Sequence, residues 1–139
     1  MGNSVVVVTG GSGGIGEALV KKYLQEGCFV ISVDLEKTTD FEDRNLSFLQ
    51  CNVECENSIN NLFEFVLNKY SKIDYFFSNA GILSLGNENS SNFDWEKNWK
   101  LHLMSHVFVS RKLLPIFKKQ KFGYFLITAS AAGLLTHID

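Results

Sequence analysis

The sequence predicts an α/β fold: a doubly wound parallel sheet with helices on both faces. Three observations predict it. Short β-branched runs alternate with segments of helical period along the 139 residues. A string of glycines stands where the first run hands over to the first helical segment, and an acid, Asp34, closes the second run.

Ser4 to Thr9, built around Val5-Val6-Val7-Val8, reads as a buried strand ended by glycines. From Gly14 to Gln25, Ile15, Ala18, Leu19 and Tyr23 recur at helical spacing, and Gly27 stands where a helix C-cap glycine belongs. Phe29 to Asp34 is a second strand of the buried type. Leu35 to Asn45 is polar and acidic without a clear period, hence a loop or a poor helix. Leu46 to Cys51 is the third strand. Ile59, Leu62, Phe63, Val66, Leu67 and Tyr70 mark one face of an amphipathic helix. Ile73 to Ser78 is the fourth strand, and Leu83 to Asn92 a surface loop rich in Asn, Ser and Gly. A long helical segment, 93–114, follows. It is apolar on more than one face through Trp99, Leu103, Met104, Val107, Phe108 and Leu113, and Pro115 is expected to bend or end it. Tyr124 to Thr128 is the fifth strand. The apolar stripes are read as core.

Composition excludes several classes. Hydrophobic residues make up 45% and charged residues 20%, which gives a globular core and argues against disorder. The formal charge of −2 speaks against a nucleic-acid binder. Three Cys cannot all pair, so a reducing compartment is expected, with Cys51 and Cys55 as ordinary buried thiols. No apolar run approaches the roughly 18 residues of a membrane span, and no targeting segment is visible. The default is a cytoplasmic protein with no membrane or nucleic-acid partner. His102 and His106 lie four apart, but no Glu stands in a His-Glu-x-x-His register, so no metal is expected.

The strongest chemical signal is Thr9-Gly10-Gly11-Ser12-Gly13-Gly14-Ile15-Gly16. Glycines at a strand-to-helix junction permit a tight turn and close approach of a pyrophosphate. The helix N-terminus then offers free N–H groups and the positive end of its dipole. No Lys follows in a P-loop register. Gly11, Gly13 and Gly16 fit the general dinucleotide fingerprint. Gly10, Gly13 and Gly16 fit the spacing of extended-type epimerases, and Gly10, Gly14 and Gly16 fit Thr-Gly-x-x-x-Gly-Ile-Gly. Asp34 can accept hydrogen bonds from the adenosine ribose hydroxyls and would repel a 2′-phosphate. NAD is therefore expected rather than NADP.

Here the sequence resembles the classical short-chain dehydrogenases/reductases, from Val5 to Ile138, as the N-terminal portion of a Rossmann-type domain. Ser78-Asn79-Ala80-Gly81 is similar to the family's Asn-Asn-Ala-Gly, which extended-type enzymes lack. Cys51-Asn52-Val53 resembles its Asp-Val pair. Ile127-Thr128-Ala129-Ser130-Ala131-Ala132-Gly133-Leu134 is similar to the segment that carries the catalytic Ser. The resemblance implies cofactor contacts from Gly10, Ser12, Gly14, Ile15, Gly16, Asp34, Asn52, Val53, Asn79, Ala80 and Gly81. It implies Ser130 as the group that holds the substrate oxygen. A hydroxyl just past the carboxyl end of a parallel strand agrees with that role.

Two departures matter. The family's Tyr-x-x-x-Lys should follow Ser130 by about a dozen residues, yet no Tyr lies after Tyr124 and no Lys after Lys121. Also, His102 stands where the family has an Asn that supports a proton relay; a His can carry a relay as well. The expectation is one incomplete domain, 1–139, lacking the last two strands. It would be the cofactor-binding part of an NAD-dependent oxidoreductase acting on a small alcohol or carbonyl substrate, inactive alone. A non-catalytic dinucleotide-binding module, sensing or vestigial, is the alternative. The long helix 93–114 is a candidate surface for a homo-oligomer.

Overall fold

The computed structural model describes residues 2–38 and 40–133. Five parallel strands form one sheet in the order β3-β2-β1-β4-β5: β1 Val5–Thr9, β2 Phe29–Asp34, β3 Leu46–Gln50, β4 Tyr75–Ser78 and β5 Tyr124–Ile127. The helices are α1 Gly14–Gln25, α2 Glu56–Tyr70, α3 Asn92–Trp99 and α4 Ser105–Gln120, with a π-helical turn over Lys100–Met104 joining the last two. The described residues of 35–45 form no helix, the loop of the two expected alternatives.

β1 lies at the centre of the sheet. Its residues alternate between two cores: Val5 and Val7 join one, Val6 and Val8 the other. The first core packs β1, β2 and β4 against α2 and α4 through Ile31, Ile59, Leu62, Phe63, Val66, Phe76, Val109 and Leu113. The second packs the opposite face on α1 through Val20, Leu19 and Tyr23. Each fully buried Val or Ile contributes about 1.5–3 kcal/mol of transfer free energy. The start of β4 is knotted to its neighbours by Asp74, which accepts from the Val5 N–H at 2.7 Å and pairs with Lys72 at 2.8 Å. The Gln120 side chain closes the same end, exchanging hydrogen bonds with both backbone groups of Ile73 at 3.1 and 2.8 Å.

Three local expectations are corrected. Pro115 does not end its helix: α4 runs on to Gln120 and stops at Lys121, which adopts a left-handed φ of 58°. Leu113, Ile116 and Phe117 dock on the first core on both sides of the proline, and that packing outweighs the lost backbone bond. Trp99 and Leu103, read as core, are exposed, as are Ile15 and Ala18. α1 meets the sheet instead through the face carrying Gly16, Leu19, Val20 and Tyr23. Cys55 is exposed as well, because α2 starts one residue later and makes it the N-cap.

Candidate cofactor-binding site

The carboxyl ends of the parallel strands open into a cleft of about 500 Å³. Each wall comes from the connection that follows a different strand. The first wall is the glycine turn between β1 and α1. Close packing demands Gly16: a Cβ there would lie 1.9 Å from the Gly10 carbonyl oxygen. Gly14 is required for another reason. Its φ is +52°, and a Cβ on it would project into open space at the mouth of α1. That is the space an anion needs to reach the N–H groups of the first turn.

Asp34 forms the second wall, at the end of β2. Its carboxylate accepts from the Ser12 N–H at 3.0 Å and from the Leu35 N–H at 2.8 Å. The Ser12 hydroxyl donates to the Glu36 carbonyl at 2.8 Å. Ser12 is buried, and neither it nor Gly14 nor Gly16 lines the cleft, whereas Gly10, Gly13 and Ile15 do. The third wall follows β3, where Cys51, Asn52, Val53 and Glu54 line the cleft. Asn52 caps its own turn by accepting from the Glu54 N–H at 2.9 Å.

Asn79, Ala80 and Gly81 form the fourth wall, after β4. The Thr9 hydroxyl is their anchor. It donates to the Phe77 carbonyl at 3.2 Å and accepts from the N–H groups of Asn79 and Ala80 at 2.9 and 3.1 Å. The Asn79 amide in turn donates to the Thr9 carbonyl at 3.1 Å, and its oxygen accepts from the Thr128 hydroxyl at 2.9 Å. One side chain thus ties the glycine turn, β4 and the end of β5 together. Thr9 and Thr128 are not among the site residues the sequence predicts, nor are Ile82, Lys97 and Leu101, which also line the cleft. Thr9 and Thr128 stood inside the quoted motifs, but only the folded sheet shows where their hydroxyls go.

The family model described as short chain dehydrogenase matches residues 4–138. The chain belongs to the short-chain dehydrogenase family. Over 94% of its length it is 30% identical to a peroxisomal hydratase-dehydrogenase-epimerase of Neurospora crassa, of which the match covers 16%. It is also 30% identical, over 93% of its length, to an NADP-dependent 3-hydroxy acid dehydrogenase of Shigella flexneri, covering 55% of that protein. Among solved structures, that of gox2181 superposes with a TM-score of 0.91 and 25% identity over 99% of this chain and 57% of that one. The aldohexose dehydrogenase of Thermoplasma acidophilum shares the fold at a TM-score of 0.85. The chain spans about half the length of these solved structures, and between 16% and 55% of the two curated relatives.

The remaining expected site residues sit at the β4–β5 end. Ser130 is exposed just past β5, and its carbonyl accepts from the Gly133 N–H at 3.1 Å. Leu134 and Ile138, the ends of the resembling segment and of the resemblance, lie outside the described residues. His102 occupies the π-helical turn, and its Nε2 donates to the Ile82 carbonyl at 3.1 Å. Its ring closes on Gly81, where a Cβ would lie 3.1 Å from His102 Cε1. His106 Nδ1 shares a 2.6 Å hydrogen bond with the Ser78 hydroxyl. Burial, helped by the nearby His102, pushes the His106 pKa below the ordinary imidazole value. Among the described residues no cluster of three or more His, Cys, Asp or Glu could hold a metal, and no helix is long and apolar enough to cross a membrane.

Cys51, in the third wall, and Cys55, just after it, differ in kind. Burial pushes the Cys51 thiol up to about 11. At the N-cap of α2, the first-turn N–H groups and the Ser58 hydroxyl hold the Cys55 thiol below its ordinary value.

Proposed function

We propose that this chain is the cofactor-binding part of an NAD-dependent oxidoreductase that transfers hydride between nicotinamide and a small alcohol or carbonyl substrate. The carrying observation is the union, in one cleft, of a glycine turn that lines it through Gly10, Gly13 and Ile15 with a fixed carboxylate at Asp34. Short-chain dehydrogenases bind nicotinamide dinucleotides, and the residues here fit such a group. The α1 N-terminus offers N–H groups and a positive dipole end to a pyrophosphate. Asp34 offers acceptors to the ribose hydroxyls. Ile15 and Val53 supply apolar contact, while Asn52, Asn79, Ala80 and Gly81 shape the opposite side. The bound dinucleotide would supply the hydride chemistry. Ser130 is assigned to hold the substrate oxygen, and His102 to position the Gly81–Ile82 segment through its bond to the Ile82 carbonyl. The domain reading is one NAD-binding Rossmann domain over 1–139.

Titration by cofactor fluorescence tests the reading. NADH binds more tightly than NADPH, and Asp34→Ala narrows the gap. Gly14→Val abolishes binding with the far-UV circular dichroism retained. Equal or reversed affinities in the native chain overturn the NAD assignment. Unchanged binding in folded Gly14→Val removes the turn as the phosphate site.

A further inference from the structure

Beyond Asp34, Leu35 also lines the cleft. The segment 34–38 folds back onto the glycine turn and is laced to it at three points. The Ser12 N–H goes to the Asp34 carboxylate, the Ser12 hydroxyl to the Glu36 carbonyl, and the Thr38 hydroxyl to the Ser12 carbonyl at 2.6 Å. From the other side, the Gln50 amide at the end of β3 donates to the Leu35 carbonyl at 2.8 Å.

We propose that this Ser12–Thr38 clasp is a specificity-determining device of the cofactor site, excluding a 2′-phosphate and fixing Asp34 for a ribose diol. The inference rests on the NAD reading above and deepens it. A 2′-phosphate would have to enter where the ribose hydroxyl meets Asp34. Such a group needs hydrogen-bond donors, and four of those beside Asp34 are committed elsewhere. The N–H groups of Ser12 and Leu35 point at the Asp34 carboxylate, and the hydroxyls of Ser12 and Thr38 point at carbonyls. What the clasp leaves facing the cleft is negative charge. Two N–H donors on different oxygens also hold the Asp34 carboxylate in one orientation, ready to accept from two adjacent hydroxyls. Preference therefore comes from the laced turn as a unit, with Thr38, outside the glycine string and past the strand-end acid, as its latch. Releasing the latch frees the Ser12 end of the lacing, and the loop so freed carries Lys37, a cation a 2′-phosphate can use.

The test uses the whole chain and titrates NADH and NADPH against native protein, Thr38→Val, Thr38→Ser and Asp34→Ala. Amide exchange at Ser12 is followed by NMR without cofactor. Thr38 is exposed, so Thr38→Val keeps the fold. Ser12→Ala, which removes the bond to Glu36, is the second variant. Thr38→Val lowers the NADH-over-NADPH affinity ratio about five-fold, the size of one lost hydrogen bond, and speeds exchange at Ser12. Thr38→Ser restores both. Ser12→Ala lowers the ratio in the same direction. An unchanged ratio in Thr38→Val, beside a collapsed one in Asp34→Ala, overturns the clasp and leaves the NAD reading standing. Equal loss of both affinities reduces Thr38 to a structural role and overturns it too. A native chain that prefers NADPH, or binds neither, overturns the NAD reading and the clasp together.

Discussion

β1 and β5 are short apolar strands of one sheet, and the molecule treats them in opposite ways. Val5 to Val8 are at most 1% exposed, whereas Tyr124, Leu126 and Ile127 are 53%, 38% and 49% exposed. The difference lies in neighbours. β1 has β2 and β4 beside it and helices on both faces. Among the described strands β5 pairs with β4 alone. On one of its faces Phe125 meets the core, and on the other Tyr124 stacks on Tyr75 with their rings 5.3 Å apart. The functional consequence follows the same division. The walls that would hold a dinucleotide follow β1 to β4, within the packed part of the sheet, while the Ser130 assigned to substrate follows the exposed strand.

The largest test of this division is packing. Phe76 on β4 is fully buried, with its ring stacked on Phe63 at 5.7 Å. Phe76→Ala costs about 3–5 kcal/mol. Ile127→Ala on β5 stays within about 0.5 kcal/mol. Urea unfolding of the two variants measures both; similar losses would erase the contrast.

Next comes the joint between the regions. Thr9→Val keeps the volume and the strand but removes the hydroxyl on which the Asn79 and Ala80 N–H groups converge. Leaving such donors unpaired costs about 1–3 kcal/mol. Because those residues form the fourth wall of the cleft, NADH affinity falls with stability. Thr9→Ser, which retains the oxygen, loses far less of either. A Thr9→Val chain with native stability would mean that β1 and the wall after β4 are held together elsewhere.

The joint also shows how far the sequence could be read. Strand and helix identity was legible because Val5 to Val8 and the Ile59–Tyr70 stripe carry their burial in their period. The turn was legible because glycines at Gly10, Gly14 and Gly16 have few other uses between a strand and a helix. Side-chain hydroxyls were not. Thr9, Ser12 and Thr38 act on partners 68, 24 and 26 residues away, and no local pattern encodes such a distance. Pro115 misled for the converse reason, since its local cost is real and the docking of Ile116 and Phe117 is tertiary. Trp99 and Leu103 misled because an apolar stripe reads as core whether or not anything covers it.

A smaller effect is expected at the margin. Among the described strands, the outer side of β5 is unpaired, apolar, uncharged and without Pro, a pattern that invites pairing with another chain. The chain of 139 residues self-associates at micromolar concentration, and Leu126→Lys shifts its sedimentation profile toward monomer. Val107→Lys on α4 does not. A native chain that sediments as a monomer would show that the exposed edge is protected.

The smallest effect concerns a bond inside the packed part, from α4 to the end of β4. His106, half-buried against the Ser78 hydroxyl, has its pKa depressed, first by burial and then by His102. The folded chain therefore resists a proton that the unfolded chain accepts near the ordinary value of 6.5. Above that pH both states hold neutral imidazole, and this site adds no slope. As pH falls below 6.5 the unfolded state binds the proton first, and stability declines. The decline levels off only once pH has passed below the depressed folded value. Partial exposure keeps the effect modest, because solvent screens the charge. Unfolding free energies measured between pH 7.5 and 5 (roughly the window of imidazole titration) follow that curve in the native chain. In His106→Gln, which keeps a polar partner for Ser78 and loses the titration, the slope flattens. An identical slope in both chains would move the acid sensitivity to the carboxylates and leave the α4–β4 bond indifferent to pH.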